Sequence, residues 1–317
     1  MPNDAPANPL HRFLEQQGVC VLDGGIATTL EAYGYDLNDE LWSARILLEA
    51  PGAIREVHQD FLAAGADCIA TSSYQASLPG FRKRGLSDSE GESLLRLSSD
   101  LAVEARDSFW SDAANRRGRL RPLVAASVGP YGAYLADGSE YTGRYAVSDS
   151  GLREFHERRW QILASGDADL LACETIPSRR EAAVLRALLN ETPGIWAWMS
   201  FSCSDGERLS DGSRLVDAAR DCDREPRVAA VGINCTAPAL IPSLIAEARR
   251  GTAKPVIVYP NQGEPYDSRS KTWGPAAEPV DWSAAAATWA RLGATGIGGC
   301  CRVGPHEIGQ IRRQLVG

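Results

Sequence analysis

Long apolar runs and a signal sequence are both missing from this chain of 317 residues. No stretch reaches the roughly 18 consecutive apolar residues that a membrane-spanning helix needs. Residues 1–14 contain proline, asparagine, aspartate and histidine where a signal peptide needs an apolar core. The sequence therefore predicts a cytoplasmic protein with no membrane partner.

Positive charge is also scarce. Lysine and arginine total 33 against 41 aspartates and glutamates, which gives a formal net charge of −8. Basic residues cluster only briefly, as at 82–84 and 116–117. A nucleic-acid interface needs an extended basic surface, so we expect no nucleic-acid partner. Hydrophobic residues make up 44% of the chain and charged residues 23%, a balance that excludes disordered and fibrous proteins.

Linkers and low-complexity tracts are missing too, and short apolar runs alternate with longer amphipathic segments. Eight runs predict strands at residues 19–22, 68–70, 123–126, 170–172, 195–199, 228–233, 256–259 and 296–297. Seven segments predict helices at residues 53–64, 94–109, 152–163, 179–189, 240–248, 282–292 and 305–315. A weaker helix is predicted at 213–222, with the preceding Asp211-Gly212-Ser213 as its cap.

Strands that alternate with helices pair in parallel, because parallel neighbours require a crossover connection. Eight such units favour an α/β fold of the closed (β/α)₈ type, a TIM barrel, with an open doubly wound sheet as the alternative. We expect one barrel domain over residues 18–317 and a peripheral lead-in over residues 1–17. Active sites of such barrels lie where the strands end, and the long connections 129–150 and 261–279 leave strands on that face.

Eight cysteines are too few for a disulfide scaffold of this length, so each is a core residue, a metal ligand or a nucleophile. Cys235 ends the sixth predicted strand, and Cys300 and Cys301 follow the eighth, so three thiols meet at one rim. Zinc accepts three thiolates and, in catalytic sites, keeps a fourth position open. Gly298 and Gly299 would permit the bend that brings both adjacent cysteines to one ion. Buried core thiols are the alternative interpretation.

Seven segments, in collinear order, resemble the homocysteine S-methyltransferases. They are VLDGGIATTLEAYG (21–34), TSSYQAS (71–77), SVGPYGAYLADGSEYTG (127–143), LLACETIP (170–177), VGINC (231–235), VYPNQGEPYD (258–267) and GGCCRVGP (298–305). The resemblance runs from about residue 18 to the C-terminus. Within the family, it is greatest to the stand-alone branch that uses S-methylmethionine.

The resemblance implies a zinc-dependent barrel that transfers a methyl group from S-methylmethionine to the thiolate of L-homocysteine, giving methionine. The implied zinc ligands are Cys235, Cys300 and Cys301. The residues implied to hold the amino-acid part of homocysteine are Asp23, Thr71 and Glu174, with Gly24 and Gly25 allowing close approach of the backbone. Glu174 could instead be a rim carboxylate paired with an arginine.

A sulfonium donor leaves as a neutral thioether, so its reaction needs no general acid. The four histidines, His11, His58, His156 and His306, lie in the lead-in or in predicted helices and are interpreted as surface or capping residues. Cations are attracted to aromatic faces. Trp42 and Tyr131 are therefore candidate donor-binding residues, together with Tyr74, Tyr134 and Tyr141.

Other interpretations keep part of this scheme. The same barrel could use betaine or S-adenosylmethionine as the donor, whereas a cobalamin route would need further domains. A zinc-stabilised binding protein without turnover should have four protein ligands, and only three are found at the rim. A phosphate-binding barrel would leave the three cysteines unexplained.

Overall fold

The computed structural model describes residues 7–37, 43–264, 266–267, 272–274 and 279–317. Eight parallel strands form one sheet. They are β1 (Cys20–Val21), β2 (Cys68–Ala70), β3 (Leu123–Val128), β4 (Leu170–Ile176), β5 (Ala197–Phe201), β6 (Val228–Asn234), β7 (Val256–Tyr259) and β10 (Gly296–Ile297). Between β7 and β10 in the chain, β8 (Tyr266–Asp267) and β9 (Thr272–Trp273) pair antiparallel.

The sheet closes on itself. Its strand order is β1-β10-β7-β6-β5-β4-β3-β2, and a parallel bridge between Leu22 and Cys68 joins the two ends of that order. The prediction of a (β/α)₈ barrel is therefore confirmed, and the open doubly wound sheet is excluded. All eight predicted strands are present, and β4 and β3 extend further than their apolar runs indicated.

Helices surround the barrel, and every predicted helix is present. They are α1 (His11–Gln17), α2 (Ile26–Ala32), α3 (Ser43–Glu49), α4 (Pro51–Ala64), α5 (Leu78–Lys83), α6 (Asp88–Ser111), α7 (Tyr131–Leu135), α8 (Asp149–Ala164), α9 (Arg179–Glu191), α10 (Leu215–Asp223), α11 (Ile241–Gly251), α12 (Trp282–Leu292) and α13 (Pro305–Leu315). Short 3₁₀ turns lie at Ala113–Arg116, Ser139–Tyr141 and Pro238–Leu240. Among the described helices, none combines the length and apolar character needed to cross a membrane.

Several helix starts differ from the prediction, and two of the differences have a local cause. Helix α6 begins six residues early because Ser87 and Glu90 form a capping box there. Helix α10 begins after Arg214, and the predicted cap instead forms a separate turn in which Asp211 accepts a hydrogen bond from Ser213 N at 2.8 Å.

Alternate residues of each strand face the inside of the barrel. In β3, Leu123 and Ala125 belong to the inner core, whereas Val124 and Ala126 belong to the larger core between strands and helices. The inner core is completed at the N-terminal end of the strands by α1, whose Phe13 is fully buried.

The segment before β1 closes that end of the barrel. Leu10 and Phe13 pack into the inner core, Asn8 Nδ2 donates to Ala229 O at 2.9 Å, and Arg12 Nη2 donates to Arg121 O at 2.6 Å. The lead-in expected to be peripheral is thus packed against the barrel from residue 8 onward. The opposite end, where the strands finish, is left for the site.

Candidate active site

Three thiols converge at the C-terminal end of the strands. Cys235 follows β6, and Cys300 and Cys301 follow β10. Their sulfur atoms lie within 4.8 Å of one another, and Cys235 Sγ is 3.7 Å from Cys301 Sγ. Two sulfurs held at about 2.3 Å by a tetrahedral zinc ion are about 3.8 Å apart. The spacing of these sulfurs therefore fits a shared metal ion.

The thiols also affect one another's ionisation. Hydrogen bonds from Cys300 and Cys301 hold the pKa of Cys235 well below its ordinary value. The hydroxyl of Tyr141 lies 3.2 Å from Cys235 Sγ. One of the three sulfurs is therefore poised to be a thiolate, the form that binds metals.

Asn234 fixes the backbone on which Cys235 sits. Its fully buried side chain accepts hydrogen bonds from Thr175 N at 2.7 Å and Ser200 Oγ at 2.8 Å, and donates to Thr175 Oγ1 at 2.7 Å. Both Thr175 and Cys235 have positive φ angles, 58° and 47°, which are costly for residues with a Cβ. The amide thus ties together the ends of β4 and β6.

The first glycine pair provides space for the cysteine loop. A Cβ on Gly24 would lie 2.2 Å from Val303 O, and one on Gly25 would lie 2.6 Å from Cys300 O. Gly25 N also donates to Val303 O at 2.9 Å. These two glycines therefore let the loop after β1 pack directly against the loop after β10.

The second glycine pair, predicted to permit a bend before the two cysteines, does not use the left-handed conformation. Neither Gly298 nor Gly299 has a positive φ, and the left-handed residue is Arg302, at 66°. A Cβ on Gly298 would lie 2.7 Å from Leu22 Cβ, and one on Gly299 would lie 2.1 Å from Val303 Cγ1. Close packing is what requires glycine at both positions.

A cavity opens beside the three thiols. All five residues predicted to bind homocysteine line it together with the cysteines. The full lining is Leu22, Asp23, Gly24, Gly25, Ile26, Ala27, Thr28, Ala70, Thr71, Ser72, Tyr74, Tyr141, Glu174, Thr175, Trp198, Cys235, Tyr259, Gly299, Cys300 and Cys301.

Two carboxylates in this cavity have no cationic partner among the described residues. Asp23 Oδ2 accepts a hydrogen bond from Ala70 N at 2.8 Å, and Glu174 accepts a hydrogen bond from Ser127 Oγ. Burial raises the pKa of Glu174 to about 7 and that of Asp23 well above its ordinary value. Within the described chain, the alternative that Glu174 pairs with an arginine therefore finds no support.

Thr71 is held by the framework beneath the cavity. Its Oγ1 accepts a hydrogen bond from Ser127 N at 2.9 Å and lies 2.6 Å from Ser73 Oγ. Because Ser127 also donates to Glu174, the ends of β2, β3 and β4 are linked through these hydroxyls.

The candidate donor-binding aromatics are divided by the structure. Tyr74 and Tyr141 line the cavity. Tyr131 and Tyr134 do not: they pack with Phe155 in a separate groove, with ring centroids 5.1 and 5.5 Å from that of Phe155. Trp42 lies outside the described residues.

The interpretation of all four histidines as surface or capping residues is wrong for two of them. His58 and His156 are fully buried, and His156 Nε2 lies 2.8 Å from Glu181 Oε1. His11 and His306 are exposed. None of the four lines the cavity.

Sequence reasoning missed a pair of aromatic residues at the base of the cavity. Trp198 Nε1 donates to the Tyr259 hydroxyl at 3.1 Å, and the two rings meet edge to face. The sequence contains the signal: strand alternation places Trp198 of β5 inside the barrel, and residue 259 is the last of the seventh predicted strand.

A barrel whose strand ends gather three thiols beside buried carboxylates is a candidate metalloenzyme. Comparison with known families gives its class: residues 20–315 match the homocysteine S-methyltransferase family model. The chain belongs to the homocysteine S-methyltransferase family.

Individual relatives agree with that assignment. The chain is 52% identical over 304 residues to homocysteine S-methyltransferase YbgG of Bacillus subtilis (strain 168), covering 96% of both chains. It is 47% identical to homocysteine S-methyltransferase 1 of Arabidopsis thaliana, covering 94% of both. Among solved structures, it is similar to the metallated form of the homocysteine methyltransferase MmuM from Escherichia coli, with a TM-score of 0.86, 42% identity, and coverage of 97% of this chain and 100% of that one.

Proposed function

We propose that this enzyme transfers a methyl group from S-methylmethionine to L-homocysteine, with zinc as its metal. The observation that supports this most is the convergence of three sulfurs, two of them 3.7 Å apart, at one side of a cavity with two carboxylates that form no ion pair with any described residue. Such a cavity suits a substrate thiol beside the three sulfurs and cationic groups of the substrates beside the two carboxylates.

Cys235, Cys300 and Cys301 would hold the zinc ion. When bound, zinc would supply the positive charge that keeps the homocysteine sulfur ionised near neutral pH. The three cysteines leave one position of a tetrahedral site free, as in catalytic rather than structural zinc sites. Asn234 and the left-handed backbone at Cys235 fix the direction of the first thiol.

Asp23, Thr71 and Glu174 would hold the amino-acid part of homocysteine. A carboxylate whose pKa is raised by burial gains more than an exposed one when an ammonium group approaches, because the cation offsets the cost of burying its charge. The hydroxyl of Ser127 orients Glu174 for this role. Gly24 and Gly25 keep the backbone beside the cavity free of side chains.

We infer the donor from the charge of the cavity and from the chemistry of the methyl transfer. A bond forms between the homocysteine sulfur and the methyl carbon while the bond from that carbon to the sulfonium sulfur breaks, and the electron pair stays on the departing sulfur. Methionine leaves without taking a proton, so no acid is required, which fits a cavity lined by no histidine. Methionine is the product from both substrates.

A donor competition tests this proposal. S-methylmethionine, S-adenosylmethionine and betaine are supplied together with excess homocysteine, with the wild-type enzyme at limiting concentration. We expect the highest kcat/KM for S-methylmethionine and loss of turnover with a zinc chelator. A preference for betaine would overturn the donor, and zinc binding without turnover of any donor would favour a non-catalytic binding protein.

A further inference from the structure

Tyr141, a candidate donor-binding residue, also contacts one of the three thiols. Its hydroxyl oxygen lies 3.2 Å from Cys235 Sγ, within hydrogen-bonding distance of a sulfur atom, and both residues line the cavity. A thiolate has no proton to give, whereas a phenol keeps its proton at neutral pH. When Cys235 is ionised, as a metal ligand must be, the Tyr141 hydroxyl is therefore the donor and the sulfur is the acceptor.

Both partners of this contact are held by the fold. Tyr141 ends the 3₁₀ turn Ser139–Tyr141, and Ser202 Oγ, just after β5, ties that turn to the barrel by donating to Glu140 O at 3.0 Å. Cys235 is 6% exposed, and its backbone is left-handed, with a φ of 47°. The hydroxyl and the sulfur belong to different elements, each of them anchored, so their contact is built into the fold.

The cavity offers a methyl donor more than one nucleophile. Cys235, Cys300 and Cys301 line it together, and the thiolate of a cysteine is chemically similar to the thiolate of homocysteine. Methylation of a cysteine would turn an anionic ligand into a neutral thioether, which is not among the usual ligands of zinc. The enzyme therefore has to direct the methyl group to the substrate sulfur and away from its own.

A hydrogen bond slows the alkylation of the sulfur that accepts it. The bond is stronger to a thiolate than to a thioether, because the thiolate carries a full charge. That charge is lost as the bond between sulfur and carbon forms, so the hydrogen bond stabilises the starting state more than the transition state. The sulfur that accepts the bond is thus the poorer nucleophile.

We propose that the Tyr141 hydroxyl protects Cys235 from methylation through this hydrogen bond and so directs the methyl group to homocysteine. The inference rests on the proposed function and deepens it by assigning the choice among sulfurs. In the reaction that is suppressed, a bond would form between Cys235 Sγ and the methyl carbon while the bond from that carbon to the leaving group breaks, and the leaving group would keep the electron pair. Tyr141 acts through Cys235 and is a positioning residue.

The test compares wild type with Tyr141→Phe, which keeps the ring and removes the hydroxyl. Both enzymes, loaded with zinc and without homocysteine, are treated with methyl iodide, and the methylation of each cysteine is followed by mass spectrometry of its peptide. We expect Cys235 to be methylated about tenfold faster in the variant, with zinc released at the same rate. The rates at Cys300 and Cys301 should change far less.

Turnover gives a second readout. With S-methylmethionine and homocysteine, Tyr141→Phe should lose zinc and activity progressively, in proportion to the fraction of Cys235 that carries a methyl group, whereas wild type should stay active. The matched control is Tyr134→Phe, which removes a hydroxyl from the same connection but in the separate groove, and it should behave as wild type. A general disturbance of the loop would lower the initial rate without methylating Cys235.

The outcomes separate the inference from the proposed function. If wild type does not methylate homocysteine with S-methylmethionine, the proposed function fails, and methyl iodide still shows whether the hydroxyl protects Cys235. If wild type turns the donor over and methyl iodide modifies Cys235 equally fast in wild type and Tyr141→Phe, the inference alone is overturned. Equally accelerated methylation of all three cysteines would also overturn it, because it would indicate a general opening of the site.

Discussion

At the scale of single residues, the cavity contains carboxylates that have no cationic partner among the described residues. Asp23 and Glu174 each have a pKa raised chiefly by burial. Such groups lower the free energy of unfolding when they ionise, and they recover stability when a cation binds. The arrangement is typical of a site that sacrifices stability for the binding of positively charged ligands.

Glu174→Gln tests the homocysteine site. The substitution removes a charge-assisted hydrogen bond worth about 1.5–3 kcal/mol, so the KM for homocysteine should rise by roughly 10- to 150-fold. Zinc content, measured by elemental analysis, should not change because no metal ligand is altered. An unchanged homocysteine KM with normal kcat would show that Glu174 does not bind this substrate.

The same variant tests the raised pKa through stability. The folded-state pKa of Glu174, about 7, exceeds the ordinary value of about 4.3, so the folded state binds the proton more tightly. Stability is therefore lost as pH rises from about 4.3 to 7. Without ligands, Glu174→Gln should be more stable than wild type by about 1–3 kcal/mol at pH 8 and close to wild type at pH 4. Urea unfolding at both pH values measures this, and an advantage independent of pH would contradict it.

The site of the three thiols could be predicted from residue identity, because the positions of the strands were enough to place the three cysteines at matching strand ends. Residue identity could not show which aromatic residues of one loop face the cavity. Tyr131 and Tyr141 are ten positions apart, and only the turn at Ser139–Tyr141 directs the second toward Cys235. The buried His156 was missed because its partner, Glu181, belongs to another helix.

Among the elements, the connection from β3 to α8 depends on one buried carboxylate. Glu181 of α9 accepts hydrogen bonds from Tyr131 N at 2.6 Å and from the Tyr145 hydroxyl, and lies 2.8 Å from His156 Nε2. These contacts anchor the connection at two points on either side of the turn that carries Tyr141.

Glu181→Ala should therefore loosen this connection. It leaves a buried backbone N–H and a buried histidine without partners, which should lower the free energy of unfolding by about 2–4 kcal/mol. The KM for S-methylmethionine should rise, whereas zinc content should not. The matched control is Glu154→Ala, an exposed position on α8 that should change neither quantity. Unfolding titrations and donor kinetics measure these two quantities. Wild-type values of both for Glu181→Ala would show that Glu181 does not anchor the connection.

Long helices could be predicted from the sequence, but short helices could not. The helices of 9 to 24 residues, α4, α6 and α8 to α13, all show an apolar periodicity. Helices of five to seven residues, such as α2, α5 and α7, span too few turns for a periodic pattern. Their positions come from tertiary contacts, such as α7 packing on Glu140 through Gly132.

Across the whole molecule, barrel closure brings together residues that are far apart in the chain. Asp23 follows β1 and Cys300 follows β10, yet Gly25 N bonds to Val303 O and Gly299 N to Asp23 O, both at 2.9 Å. The alternation of strands and helices favoured this closure and left an open doubly wound sheet as the alternative, which the bridge between Leu22 and Cys68 excludes. It did not predict that the segment before β1 closes the opposite end, since that segment has no strand or repeat of its own.

Phe13→Ala tests whether residues 8–17 belong to the barrel. Phe13 is fully buried in the inner core, so its truncation should lower the free energy of unfolding by about 3–5 kcal/mol. The substrate KM values should not change because the site lies at the other end. His11→Ala, at an exposed position of the same helix, should cost little. Equal stability of the two variants in urea would make the segment peripheral.

The central claim is that homocysteine is methylated at a zinc site formed by three cysteines. In the most direct measurement, the enzyme is supplied with S-methylmethionine and with homocysteine that carries deuterium on its carbon chain. The formation of deuterated methionine is followed by mass spectrometry. Zinc-loaded wild type should form it, whereas chelator-treated wild type and Cys235→Ser should not, and added zinc should restore only wild type. Deuterated methionine formed equally well by Cys235→Ser, or after complete removal of zinc, would contradict the account.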